Sequence, residues 1–221
     1  MEFTSCFPQW DKLSPAQQRR VLDSVVEKHF EKGAVIHDGS ADCTGLLLMR
    51  SGQLRAFILS EDGREISIYR LFERDICLFS ASCMLRSIRF SVNIEAEKDS
   101  DLWVIPAEVY QSLMEQSAPL ANYTNELMAS RFSEVMWLME QILWMSMDKR
   151  LAAFLLEEAV LEESDSFAIT HEQIARHLGT AREVVTRMLR YFRSEGMVSL
   201  SRGSIRILDE EKLSRLAEGR R

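Results

Sequence analysis

Long apolar runs are missing from this chain. Those it has, such as Gly45–Met49, fall far short of the ~20 residues that a membrane-spanning helix needs. The opening stretch, Met1 to Trp10, has neither the basic segment nor the apolar core of a secretory signal. A cytoplasmic location and no membrane partner are the expectation. Cysteine is scarce, with Cys6, Cys43, Cys77 and Cys83 the full set of four. Without a secretion signal these are expected as thiols, redox groups or metal ligands rather than structural disulfides. Histidine is also scarce: His29, His37, His171 and His177 show no H-x-H or H-E-x-x-H spacing. No P-loop and no Ser/His/Asp arrangement is visible, so no enzyme and no metal site is expected. There is no low-complexity segment and no convincing internal repeat.

Net positive charge is lacking as well. The formal charge is −7 over 221 residues, which at first argues against a nucleic-acid partner. The distribution of charge points the other way. Residues 1–147 hold 14 Lys+Arg against 21 Asp+Glu, whereas residues 148–221 hold 13 of each. Within Thr170–Arg206 seven arginines face three glutamates, a local charge of +4. Nucleic-acid binding needs a local positive surface, and whole-chain charge can mislead.

Ser14-Pro15 opens a helix, serine as N-cap and proline at the first helical position, running to about Lys28. From Phe30 the apolar period changes to two. Ala34-Val35-Ile36, Gly45–Met49, Gln53–Leu59, Ile66–Leu71, Arg89–Ile94 and Leu102–Ile105 read as short strands separated by turns such as Ser51-Gly52 and Glu61-Asp62-Gly63-Arg64. Such a series predicts a β-sandwich or β-roll of the jelly-roll kind. After Pro106 the pattern turns helical. Leu120 to Met147 runs without glycine or proline, about 42 Å as one helix at 1.5 Å per residue. Near its end Val135, Leu138, Ile142 and Met145 fall at coiled-coil spacing. Met136, Trp137, Met139, Leu143 and Trp144 make other faces apolar too, which predicts burial on several sides, one of them against a second subunit. Another helix is expected from Asp148 to Glu163, with a hinge at Met147-Asp148-Lys149.

The stretch Ile169–Arg190 has the logic of a helix-turn-helix. Thr170 with Gln173 makes a capping box, Ile174 and Leu178 share an apolar face, and Gly179 sits where a left-handed residue is needed. Thr180 with Glu183 repeats the capping-box spacing. The second helix would bury Val184 or Val185, Met188, Leu189 and Phe192, and present Arg182, Thr186, Arg187, Arg190 and Arg193. Two short helices joined by a glycine turn, the second basic, suit a DNA major groove. Gly196–Leu208 then reads as a hairpin turning near Arg202-Gly203, the wing of a winged helix, and Asp209–Glu218 as a terminal helix.

In this order of parts the chain resembles the Crp/Fnr family of bacterial transcription regulators. The resemblance covers nearly the whole length and is strongest at Ile169–Gly196 and in the Gly33, Gly52 and Gly63 turns. It implies an α+β protein: a cyclic-nucleotide-binding-type β-roll sensor over residues 1–118, a long dimerisation helix and hinge over 119–147, and a winged helix-turn-helix over 148–221. It also implies a homodimer on a two-fold operator of double-stranded DNA, with RNA polymerase as a further partner if the protein activates. The family pattern R-E-x-x-x-R stands here as Arg182-Glu183-Val184-Val185-Thr186-Arg187. Arg182 and Arg187 would offer paired donors to guanine, Glu183 would accept from cytosine, and Thr186 completes the base-reading set. Thr170, Thr180, Arg190 and Arg202 are assigned to the DNA backbone.

In the phosphate-binding cassette the sequence departs from the family. Leu78-Phe79 occupies the place of the Gly-Glu pair that holds a ribose, and Phe90-Ser91 the place of the Arg-Ser pair that holds a cyclic phosphate. Arg86 and Arg89 lie near enough to restore an anion site in another register. A buried phosphate without a cation is costly, so an effector other than cyclic AMP is expected. The candidate pocket is Cys77, Leu78, Phe79, Ser82, Cys83, Arg86, Arg89 and Ser91. Redox exchange between Cys77 and Cys83, or with Cys6 or Cys43, is one candidate signal; buried inert cysteine is the alternative. The family's cluster-binding members carry tightly spaced cysteines near one terminus. The spacings of 37, 34 and 6 here argue against an iron–sulfur cluster, and nothing calls for haem or another cofactor. A cyclic-nucleotide-responsive regulator and a cupin-like β-roll enzyme stay open as alternatives.

Overall fold

The computed structural model describes residues 2–39, 43–84 and 91–219. In chain order these form α1 (Phe3–Cys6), α2 (Pro15–Ser24), β1 (Val26–Phe30), β2 (Val35–Asp38), β3 (Leu46–Ser51), β4 (Leu54–Leu59), β5 (Glu65–Leu71), β6 (Ile76–Cys77), β7 (Asn93–Ala96) and β8 (Ser100–Ile105). There follow α3 (Ala107–Gln116), α4 (Ala118–Trp144), α5 (Met147–Leu161), β9 (Ser166–Phe167), α6 (His171–Leu178), α7 (Arg182–Ser194), β10 (Val198–Ser201), β11 (Ser204–Ile207) and α8 (Glu210–Glu218). Contacts divide the chain into two compact units. One holds Met1–Leu59 and Ile68–Val135, the other Ser60–Ser67 and Met136–Arg221.

The first unit is built on two antiparallel four-stranded sheets, ordered β1-β8-β3-β6 and β2-β7-β4-β5. The run Leu46-Leu47-Leu48-Met49 shows why β3 reads as continuously apolar: successive side chains leave opposite faces of the strand, and both faces are buried. Leu47 and Met49 join Leu54, Ala56, Leu71, Ile94 and Leu102 in one cluster. Leu46 and Leu48 join Trp103, Tyr110, Leu113 and the N-terminal Phe3 and Phe7 in another. Gly52 turns the chain into β4 at φ +89°, and a Cβ there would collide with Ser100 and the Asp99 carbonyl, so only glycine fits.

Two of the boundaries that differ from the sequence expectation have a plain physical cause. The capping box of Ser14 and Gln17 opens α2 as expected, but the helix stops at Ser24 and β1 begins at Val26. Val25 is the extended C-cap of the helix, and from the β-branched Val26 the chain enters the sheet, where Val26 to Phe30 pair in register with Val104 to Ser100 of β8. The long helix ends at Trp144 rather than Met147. Ser146 is the extended N-cap of α5 (φ −67°, ψ 158°), so the chain bends just before the expected Met147-Asp148-Lys149. Serine favours such a boundary over a helix interior.

The second unit is a small helical core with a three-stranded sheet. α5 contributes Leu151, Ala152, Phe154 and Leu155, α6 contributes Ile174, Ala175 and Leu178, and α7 contributes Val185, Leu189 and Phe192. The hairpin β10–β11 pairs Ser201 with Ser204 around the turn at Arg202-Gly203, and β9 adds at the β11 edge through Phe167 and Ile205. β9 has only two residues, too few to show a period in sequence.

Candidate DNA interface and sensor site

The DNA-facing candidate is assembled by α6, its turn and α7. The Thr170 hydroxyl accepts from the Gln173 backbone while the Gln173 side chain accepts from the Thr170 backbone, so the expected capping box is present. Thr170 Oγ1 also lies 2.8 Å from Gln173 Oε1; with its one proton committed there, it has none to give a phosphate. Gly179 ends α6 at φ +66°. α7 then opens differently from expectation. Its N-cap is Ala181, with no side-chain cap bond, and Thr180 uses its backbone N–H to reach the Ala175 carbonyl at 3.0 Å. The first turn of α7 therefore has no side-chain cap at its positive end, and Glu183 is the acidic residue within it. Ala181→Ser should supply the absent cap and raise unfolding stability by about 1 kcal/mol. Chemical denaturation checks this, and an unchanged midpoint would count against an uncapped terminus.

α7 is sharply two-faced. Val185, Leu189 and Phe192 are fully buried, Val184 and Met188 are half-buried, and Arg182, Glu183, Arg187, Arg190 and Arg193 are exposed. Arg202 stands exposed at the tip of the wing. Thr186 behaves differently from its neighbours: its hydroxyl lies 2.9 Å from His171 Nδ1. Arg150, which sequence reasoning missed, is 7% exposed and donates through Nη2 to the Leu178 carbonyl at 2.7 Å. It thus satisfies the C-terminal end of α6, where a cation also complements the helix dipole. An arginine in the otherwise apolar stretch Arg150–Leu156 was its only signal. Arg150→Ala should cost about 2 kcal/mol, since it strands a buried carbonyl. Thermal melting tests this, and a shift no larger than that of an exposed control such as Arg193→Ala would refute it.

The sensor candidate lies in the first unit. Cys77 and Phe79 sit in the core between the sheets, whereas Leu78 packs into the other cluster. Tyr69 lies with its ring centroid 5.9 Å from that of Phe79, its hydroxyl 3.6 Å from Cys77 Sγ. Burial pushes both the Tyr69 phenol and the Cys77 thiol up, so both stay protonated at neutral pH. A protonated, enclosed thiol is a poor nucleophile. This favours the buried, inert alternative for Cys77, which is free along with Cys6; among the described residues Cys43 is disulfide-bonded. The side chains of Ser82 and Cys83, and all of Arg86 and Arg89, lie outside the described residues; Ser91 is exposed.

Sequence reasoning also missed Arg131 on α4. Its guanidinium covers the Tyr69 ring at 4.5 Å and donates from Nη1 to both oxygens of Glu134 at 2.8 and 3.0 Å. Elsewhere in the roll two largely buried arginines are paired, Arg55 with Glu95 at 2.8 Å and Arg70 with Glu97 at 2.9 Å. The Gly-Glu place of a cyclic-nucleotide cassette is filled by two core hydrophobes, Leu78 and Phe79. At that place the chain therefore offers no carboxylate to a ribose; Asp75, the nearby acid, accepts instead from the Phe72 backbone N–H at 2.8 Å. Among the described residues no group of three or more His, Cys, Asp or Glu could hold a metal, and no helix is long and apolar enough to cross a membrane.

A β-roll followed by a long helix and a winged helix-turn-helix, its second helix basic outside and apolar inside, defines a DNA-binding regulator. Residues 27–117 match the cyclic nucleotide-binding domain family, and residues 149–216 the Crp-like helix-turn-helix domain. The solved structure of a protein assigned to the Crp/Fnr transcriptional regulators, from Eubacterium rectale, is 60% identical. It covers 97% of this chain and 99% of its own, with a TM-score of 0.94. The cyclic AMP receptor protein of Thermus thermophilus is 25% identical over 96% of this chain and 97% of its own. The global nitrogen regulator of Synechococcus elongatus is 25% identical over 85% and 87%. The chain belongs to the Crp/Fnr family of transcription regulators. Its relatives and fold are those of regulators, not of enzymes, which sets the cupin-like alternative aside.

Proposed function

We propose that this Crp/Fnr regulator acts in the cytoplasm as a homodimer on a two-fold DNA operator, governed by an effector other than cyclic AMP. In this reading residues 1–118 sense, 119–147 pair the subunits, and 148–221 read DNA. The observation that carries it is the division of α7 into a buried Val185–Leu189–Phe192 face and an exposed Arg182–Glu183–Arg187 face. The exposed set supplies donors for guanine and an acceptor for cytosine. Dimerisation is supported by the apolar surface of α4, where Phe132, Trp137, Leu143 and Trp144 are 66%, 62%, 62% and 80% exposed. A surface of that kind marks an interaction site. The expected seam lies less open: Val135 packs against the roll core, Leu138 and Met145 are half-buried, and Ile142 is exposed. The redox arm rests on the disulfide at Cys43. RNA polymerase is the further partner if the protein activates.

Selection of duplexes from random DNA, run with and without reductant, tests this reading. A palindromic site with half-site centres about 34 Å apart is expected. Recovery of no preferred sequence would refute it, and identical selection in both states would remove the redox arm. Calorimetry with cyclic AMP and cyclic GMP should show no binding at micromolar concentration; binding there would reinstate the nucleotide alternative.

A further inference from the structure

We propose that His171 is a proton-linked DNA-backbone contact, aimed by its hydrogen bond to Thr186 and sharing a phosphate with Arg190. This rests on the DNA-binding reading of α7. His171 is the first residue of α6, and its ring is half-buried. Nδ1 lies 2.9 Å from Thr186 Oγ1 on α7, so the bond ties the two helices of the helix-turn-helix together and fixes the ring's orientation.

The charged groups acting on the ring from α7 are Arg182 and Arg190. Glu172, next to it on α6, is exposed. Burial, and then the two guanidinium charges, hold His171 below the ordinary imidazole value. In the free protein the ring is therefore neutral around pH 7. A neutral ring at this hydrogen bond accepts at Nδ1 from the Thr186 hydroxyl and carries its proton on Nε2, or the reverse.

A DNA phosphate changes that balance. Drawn to Arg190, it offsets part of the repulsion that keeps the ring neutral and places negative charge beside it, which favours the imidazolium. The ring then takes one proton from solvent. With both nitrogens now donors, Nδ1–H points at Thr186 Oγ1, and the Thr186 hydroxyl proton turns outward to an acceptor on the DNA. One proton bound thus adds a positive charge and frees one donor. Because the complex holds more protons than the free protein, affinity must rise as pH falls.

The test uses the full-length protein and a duplex recovered by selection from random DNA, with anisotropy titrations at fixed salt from pH 6 to 8.5. The wild type should bind at least about threefold tighter at pH 6 than at pH 8, bounded by about tenfold per pH unit for each imidazole. His171→Asn, which keeps a hydrogen-bonding atom near Nδ1 but does not titrate, should give a flat profile. His171→Arg, a permanent cation, should also be flat. Thermal melting of each variant controls for folding, and the His171 ring signals in NMR should titrate at higher pH with duplex bound than without. A flat wild-type profile, or a pH dependence that survives in His171→Asn, overturns the proposal and leaves the DNA-binding reading standing. Failure to select any duplex overturns both.

Discussion

Replacing Arg187 by alanine is expected to weaken binding to a selected operator by at least roughly 30-fold while changing binding to random DNA by no more than about twofold. Arg187 is exposed on α7, opposite the buried Val185, Leu189 and Phe192. A paired contact from arginine to guanine is worth about 1–3 kcal/mol, and a dimer makes it twice. Phosphate contacts, by contrast, weaken all sequences alike. Arg190→Ala should show that second behaviour, with a shallower salt dependence. Competition titrations on both variants separate the roles. Equal losses on operator and random DNA for Arg187→Ala would move it to the backbone set, and the base-reading assignment would then rest on Arg182 and Glu183.

The second large effect is expected at α4. Trp137→Glu combined with Leu143→Glu should convert a dimer of twice 25.5 kDa into a monomer in light scattering. Both side chains are mostly exposed in a single subunit, so charging them costs the monomer little, whereas burying two carboxylates in a subunit interface costs several kcal/mol. Operator affinity should fall at least about 100-fold, since two half-sites no longer bind as one unit. A double variant that stays dimeric would place the interface elsewhere. A monomeric variant with undiminished affinity would break the link between pairing and recognition.

The helix-turn-helix is legible in sequence for a local reason. Caps, glycine turns and apolar periodicity act within a few residues, and the Thr170–Gln173 box and the left-handed Gly179 occur where those rules put them. The same rule fails at Thr180–Glu183, because the tight turn carries Thr180 back to Ala175 and leaves Ala181 at the cap. Strand β1 is hidden in sequence because Val25-Val26 continues an apolar helical pattern; pairing with β8, far away along the chain, decides otherwise.

Local periodicity and motif spacing were enough for the roll-then-helix-then-winged-helix order and the exposed Arg182–Glu183–Arg187 face, and the resemblance those parts carry was enough for the family. The partners of single polar atoms emerged only from three-dimensional packing. Packing turned Thr186 toward His171, set Arg150 against the Leu178 carbonyl, and laid Arg131 over Tyr69. It also closed Cys77 inside the core and left the disulfide to Cys43. A hydrogen bond depends on ångström-scale placement across elements that are distant in sequence, and residue spacing along one helix or strand carries no record of it.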